Sequence, residues 1–406
     1  MSDPALDAAS SLPLSPGRTT RPAPAMTRPQ SEARADSAGK EHVIDALRGF
    51  AALLVAYFHC RQVEWVGMQA FHQTVGHAFS LNTIAGYLTF PIAWGSAGVP
   101  IFFVISGYCI HRGGALRLAK NPEYRLDTGN FWVRRLTRIY PVLIAALVLT
   151  LALDWNSLQL APVSHKIREI GWQAFLVNLF SLQGVAGHTY GSNGALWTLS
   201  LEVQFYAVYP LLFALRKRLG MTSVLAIVAA VNVVSAYGLE RHDFQFFTSY
   251  WFSWTLGAWI ADARAHRAAD ARSSIWLYVL AAAFIVLGCA AFHFGQYGAF
   301  QLWAIGFAFY LFKALERPSG VNAQGVGTRL LSRLGDFSFS LYLIHLPIFV
   351  LLSSILFRSQ LQMSIWPSFG YMLVAVPVAY VFYRLVELPA MKWSASFKPK
   401  SVPRQA

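Results

Sequence analysis

The sequence predicts an all-α integral membrane protein of about ten transmembrane helices, with both termini cytoplasmic. Three observations predict it. Of the 406 residues, 55% are hydrophobic and only 13% charged, against roughly 45–50% and 25% in globular domains. Apolar stretches recur from Val43 almost to the end of the chain, at lengths close to the about 20 residues that cross a bilayer. The basic residues also sort to one side of these stretches, as the inward bias of Lys and Arg requires.

Taken in order, residues 1–40 are rich in Pro, Ala, Ser and Arg and hold no apolar run. A cleaved signal peptide needs a hydrophobic centre. The tail is therefore expected to be disordered and cytoplasmic, and the first apolar segment to serve as its own membrane signal. Ten segments follow, at roughly 43–61, 94–111, 139–155, 197–215, 222–239, 246–262, 275–293, 298–314, 337–357 and 369–388. They define a membrane domain over 41–393, with 394–406 as a short cytoplasmic tail. An eleventh stretch, 170–183, is short and interrupted by Gln173 and Asn178, which suits an interfacial or re-entrant piece.

With ten spans and the N-terminus inside, 28 of the 33 Lys and Arg fall on the inner side. An eleventh span would carry Arg216, Lys217 and Arg218 outside, so ten are preferred. The same sorting accounts for the net charge of +14 and a pI near 9.8. No nucleic-acid partner is needed to explain it, and no soluble basic domain is visible to bind one. Cys60, Cys109 and Cys289 lie in apolar stretches and read as buried small hydrophobes. No repeat of 20–50 residues is evident, so solenoids and propellers are excluded.

Ionisable groups inside a bilayer are costly and are functional candidates by default. The first span holds Arg48 and His59, eleven residues apart. At about 100° per residue both face the same way, about 16 Å apart along the axis. Singly they read as a snorkelling anchor paired with Asp45 and a satisfied interior histidine. On a shared face, a single ligand could span both. The fourth span holds Glu202, expected near the depth of His59, where a carboxylate must be paired, protonated or exposed to a cavity. Its neighbours Trp197, Tyr206 and Tyr209 read as interface anchors and packing. The ninth span holds His345 two residues before Pro347. Proline frees a backbone carbonyl, so a kink or polar cavity is expected there, with Ser338, Ser340 and Tyr342 as donors. Before the third span, Arg134, Arg135 and Arg138 cluster within about one turn. They read either as inward anchors or as a phosphate clamp, since guanidinium forks suit phosphates. Ser106-Gly107 in the second span suggests close helix approach, and His111 is expected at the inner interface. Ser106 and Tyr342 complete the set as candidate substrate contacts. No Walker loop, no GxGxxG opening a helix, no GxSxG, no HExxH and no CxxC is present, so no metal is expected.

Six motifs in order carry a resemblance. They are Arg48-x10-His59, FFVISGY at 102–108, RRLTRIYP at 134–141, LWTLSLEVQFY at 196–206, FSFSLYLIHLP at 337–347 and Glu387-x-Pro389. Together they resemble the acyltransferase 3 family, over roughly 41–393. This family comprises integral-membrane O-acyltransferases of bacterial surface polysaccharides, peptidoglycan, lipid-linked sugars and some antibiotics. The resemblance implies a bacterial inner-membrane enzyme of the O-antigen acetylase type. It implies a cytoplasmic acyl-CoA donor, usually acetyl-CoA, and an acceptor often reached on the far side. It also implies that Arg48 and His59 are essential and that Arg135 and Arg138 support them. Many family members carry a soluble hydrolase-like domain after the membrane part. Here the sequence ends within about 15 residues of the last span, so the expectation is a membrane domain without a fused hydrolase.

Acyl transfer to a hydroxyl needs a base, an oxyanion stabiliser and exclusion of water. His59 is the expected base, because imidazole titrates near neutral pH. Glu202 is expected to orient it or bind acceptor hydroxyls, and His345 to orient substrate or donate to the oxyanion. A relay through Cys60 carries little weight, because adjacent helix positions point about 100° apart. The expected partners are acyl-CoA, a carbohydrate acceptor and the lipid bilayer, with polysaccharide-assembly proteins as candidates. Two other function classes fit the embedded Arg, His and Glu: a proton-coupled transporter and a non-catalytic partner in polysaccharide export. The sequence lacks the paired inverted halves that many carriers show.

Overall fold

The apolar segments are helices in the computed structural model, which describes residues 30–76, 79–242, 244–266, 273–316 and 325–397, with side chains from His42 onward. Residues 1–29 and 398–406, most of the two expected tails, lie outside the described residues. Helix α1 runs Gln30–Glu64 and so takes in the end of the first tail.

Two short helices follow, α2 (Met68–Val75) and α3 (Leu81–Leu88). The Ser80 hydroxyl accepts from the Thr83 amide at 3.1 Å, satisfying one of the free amides at the start of α3. A 3-10 turn at Phe90–Ala97 leads directly into α4 (Gly98–Lys120). Helix α5 (Thr128–Leu158) is capped the same way, Asp127 accepting from the Asn130 amide at 3.0 Å. Helix α6 (Trp172–Leu179) has eight residues, about 12 Å, so the 170–183 stretch does not cross a bilayer.

Helices α7 (Trp197–Leu219) and α8 (Met221–Gly238) are joined at Gly220. Its φ of +79° lies in the left-handed region that suits glycine. Helices α9 (Trp251–Ala265), α10 (Trp276–Ala291), α11 (Gln296–Ala314), α12 (Val326–Asp336), α13 (Ser338–Phe357) and α14 (Trp366–Phe382) complete the array. A π turn at Tyr383–Glu387 leads into α15 (Leu388–Ser396). No strand is present among the described residues; the backbone makes two isolated bridges.

Each of the ten expected segments coincides with a helix. Seven helical stretches among the described residues are long and apolar enough to cross a membrane: His42–Glu64, Leu81–Lys120, Thr128–Leu158, Gly194–Leu219, Met221–Gly238, Ser338–Phe357 and Trp366–Ser396. The chain is thus an all-α, multi-pass membrane protein. The other three segments fall short of that standard. Helices α9 and α10 have 15 and 16 residues, about 22–24 Å, below the about 30 Å of a hydrocarbon core.

Close packing follows from small residues. Helix α4 lies against α9. A Cβ on Gly107 would stand 1.9 Å from the Trp254 carbonyl oxygen, and one on Gly257 would stand 1.9 Å from that of Val104. The two backbones touch because neither residue has a side chain, which bears out the reading of Ser106-Gly107.

Two helix prolines then fasten the site. Proline lacks an N–H, so the carbonyl four residues earlier is freed. Pro210 frees the carbonyl of Tyr206, which accepts from Trp132 Nε1 of α5 at 3.1 Å. Pro347 frees the carbonyl of Leu343, which accepts from Asn193 Nδ2 at 2.8 Å. These bonds tie α7 to α5 and tie the approach to α7 to α13.

Candidate active site

Helix α1 presents Arg48 and His59 to two different cavities. The cavity at the Arg48 end has a volume of about 140 Å³ and is lined by Arg48, Ser106, Arg135, Arg138, Glu202 and Tyr342, with Phe102, Phe103 and Tyr206 among its apolar walls. Five helices therefore bring six of the expected residues, far apart in sequence, to one place. Arg48 also pairs with Asp45 at 3.5 Å, so the anchor reading holds alongside the site reading. Among the described residues, Arg135 and Arg138 have no carboxylate within ion-pair distance. Arg135 Nε is buried without a hydrogen-bond partner. The Arg135 guanidinium lies 5.7 Å from the Phe131 ring and 5.8 Å from the Tyr206 ring, contacts that offset part of its desolvation.

Arg134 is not part of this cluster. One residue along a helix turns a side chain by about 100°, so Arg134 is exposed while Arg135 and Arg138 face the cavity. Its carbonyl accepts from Ser394 Oγ of α15 at 2.6 Å.

Glu202 is held inside the same cavity. Ser106 Oγ donates to Glu202 Oε1 at 3.0 Å, and the Tyr206 hydroxyl donates to the same oxygen. Trp254 Nε1 donates to Ser106 Oγ at 3.2 Å. Tyr206 and Tyr209 are therefore buried parts of the core rather than interface anchors. His111 is likewise fully buried, between Tyr209 and Asp262. The expectation that Glu202 orients His59 fails on geometry, because the two residues line different cavities.

The partner of His59 is His345. Nδ1 of His59 lies 2.9 Å from Nε2 of His345, and the rings are nearly parallel, with centroids 5.2 Å apart. The contact sets the tautomers. His345 Nδ1 lies 2.9 Å from the Leu341 carbonyl oxygen, which can only accept, so that nitrogen carries the proton. In the neutral ring, Nε2 of His345 is then the acceptor. His59 must donate from Nδ1, which leaves its Nε2 with a free lone pair. That nitrogen has no hydrogen-bond partner among the described residues, and its ring lines the second cavity.

The second cavity has a volume of about 760 Å³ and is lined by His59, Gln62, His165, Lys166, Arg168, His188, Trp197 and Leu346, among others. Most of the full lining comes from the 159–196 segment, which buried polar groups fix in place. The Ser192 amide and hydroxyl donate to the two oxygens of fully buried Asp154 at 2.7 and 2.6 Å. Asn178 Nδ2 donates to the His188 carbonyl at 2.9 Å. These residues escaped sequence reading, although Lys166 and Arg168 left a signal as two of the five basic residues placed on the outer side.

Tyr342 stands between the first cavity and the histidine pair. It lines the first one, its ring meets His345 edge-on at 5.9 Å, and Thr198 Oγ1 donates to its hydroxyl at 2.8 Å. Cys60 faces elsewhere, buried against the Ser368 carbonyl at 3.4 Å. Glu387 is a cap: one oxygen accepts from the Ser340 amide at 3.1 Å and the Ser340 hydroxyl at 2.5 Å. It supplies an acceptor to the free amide at the start of α13. Among the described residues, no group of three His, Cys, Asp or Glu side chains could hold a metal.

The chain is similar in sequence to known proteins. The chain is 25% identical over 397 residues to nodulation protein 10 of Rhizobium leguminosarum bv. viciae, covering 89% of this chain and 96% of the relative. It is 23% identical over 345 residues to a peptidoglycan O-acetyltransferase of Listeria monocytogenes, covering 77% of this chain and 54% of the relative. It is 24% identical over 392 residues to an O-acetyltransferase of Staphylococcus aureus, covering 86% of this chain and 57% of the relative. The chain thus spans about half the length of several curated relatives it matches. No solved structure matches. The profile described as an acyltransferase domain matches residues 41–384, most of the chain, and the chain therefore belongs to the acyltransferase 3 family.

Proposed function

We propose that the chain is an inner-membrane O-acyltransferase. It moves an acyl group, acetyl in the simplest case, from cytoplasmic acyl-CoA to a hydroxyl of a surface or lipid-linked carbohydrate. The observation that carries this reading is His59, paired with His345, on the wall of the larger cavity, with Arg48, Arg135 and Arg138 around the smaller one near the other end of α1.

In this reading the acyl end of the donor enters the smaller cavity. Its about 140 Å³ is less than the 300–1,000 Å³ of typical ligand pockets, so it accommodates a thioester arm and not a nucleotide. The arginines attract the phosphates of CoA to the mouth. The acceptor occupies the larger cavity with a hydroxyl at Nε2 of His59. That nitrogen takes the hydroxyl proton, the oxygen bonds to the thioester carbon, the C–S bond breaks, and the CoA thiolate leaves and is reprotonated. His345 holds the His59 ring in the required tautomer and accepts its Nδ1 proton bond as positive charge develops. Ser106, Glu202 and Tyr342 fix the polar wall against which the donor arm lies.

The test is label transfer from acetyl-CoA to a mixed glycan pool by the detergent-purified protein. Wild type should give labelled glycan. His59→Ala should lower turnover by about 10²–10⁴-fold, the usual weight of a positioned general base, with unchanged yield and monodispersity. Full turnover by His59→Ala would overturn the assignment of the base. No labelled glycan with wild type would overturn the reading.

A further inference from the structure

The larger cavity is charged in one sense only. Lys166 and Arg168 line it with His59, His165 and His188, and no Asp or Glu is among its lining residues. Neither cation has a carboxylate within ion-pair distance among the described residues. Glu169, next to Arg168 in sequence, is exposed and outside the lining.

The backbone that carries the two cations is also held in position. The Arg168 amide donates to the Gly191 carbonyl at 3.2 Å, and the Gly191 amide donates to that of Glu169 at 3.0 Å. Gly191 adjoins Ser192, which is anchored on Asp154. Burial, and then the neighbouring Arg168, push the Lys166 ammonium below its ordinary value.

Like charges near one another on a cavity wall are unfavourable until an anion enters. Guanidinium and ammonium groups then bind carboxylate or phosphate through charge-assisted hydrogen bonds. Trp197 supplies an apolar wall, and Gln62 and Thr189 supply polar groups for hydroxyls, a mixture that suits a sugar ring.

We propose that the acceptor is an acidic carbohydrate, whose carboxylate or phosphate is held by Lys166 and Arg168 while a neighbouring hydroxyl meets His59. The proposal rests on the acyltransferase reading above and names its substrate class. It requires no chemistry beyond that transfer, since the anionic group is bound and not altered.

The experiment compares three acceptors in the labelled acetyl-CoA assay: a uronic-acid oligosaccharide, the same oligosaccharide with its carboxyls reduced to alcohols, and a glycerol-phosphate-substituted glycan. Wild type should favour at least one acidic acceptor over the neutral one by about 10- to 100-fold in kcat/KM, the range of a hydrogen bond to a charged group. The preferred acid identifies carboxylate or phosphate as the anchor. The double variant Lys166→Gln with Arg168→Gln should lose that preference through the acceptor KM while the KM for acetyl-CoA stays within about twofold. A second variant, Lys166→Glu, should turn the preference toward the neutral acceptor. Equal use of neutral and acidic acceptors by wild type, or a preference that survives both variants, would overturn this proposal while leaving acyl transfer intact. No product with any acceptor or with the mixed pool would overturn the acyltransferase reading together with it.

Discussion

Three arginines in a row of five residues meet different fates because a helix separates adjacent side chains by about 100°. Arg135 and Arg138 line the smaller cavity, whereas Arg134 faces out. Combined Arg135→Ala and Arg138→Ala should therefore raise the apparent KM for acyl-CoA at least about tenfold, the effect of removing one or more charge-assisted contacts. Arg134→Ala should leave it within about twofold. Initial-rate kinetics on the purified variants checks both, and equal effects of all three arginines would refute the clamp. Much at this scale was legible in the sequence. The spacing of Arg48 and His59 marked both as candidates on α1, although they line two different cavities rather than one, and Pro347 pointed to a freed carbonyl that a polar group satisfies. What accepts from His59 was not legible. His345 lies 286 residues away on α13, and no periodicity within one helix encodes which helix packs beside it.

At the scale of elements, the prolines of α7 and α13 act as fastening points, because each leaves a carbonyl that another element must satisfy. Asn193 meets the one on α13, and its Nδ2 also donates to Thr150 Oγ1 of α5 at 3.1 Å. Asn193→Leu keeps the size of the side chain and strands the buried Leu343 carbonyl. Unfolding in detergent should show a loss of about 1–3 kcal/mol, the usual penalty for a buried unsatisfied acceptor. An unchanged stability would mean that the bond is dispensable. Sequence periodicity found the helices, since apolar runs bounded by caps and charges are local signals. It also judged 170–183 correctly, where α6 has eight residues. It did not foresee that α9 and α10 fall below spanning length, because hydropathy extends past helix ends into the turns that flank them.

For the whole molecule, the sorted basic residues make a topological prediction. Reporter fusions placed at the C-terminus and within the 165–168 loop should report opposite sides of the membrane, with the C-terminus cytoplasmic. A phosphatase active only outside the cytoplasm and a fluorescent protein active only inside it make the check. The two fusions reporting one side would overturn the arrangement in which donor and acceptor approach from opposite faces. By itself the sequence determined the membrane class, the helix positions, the family and most of the polar residues of the site. Each of these is written in local composition, spacing or motif. Only the tertiary structure decided that these residues form two cavities rather than one, that Glu202 belongs with the arginines and not with His59, and that His345 sets the tautomer of His59. Those facts depend on which helix faces meet, and that is fixed by close approaches such as Gly107 against Gly257 and by buried bonds such as Asn193 to Leu343, which join residues about 150 positions apart.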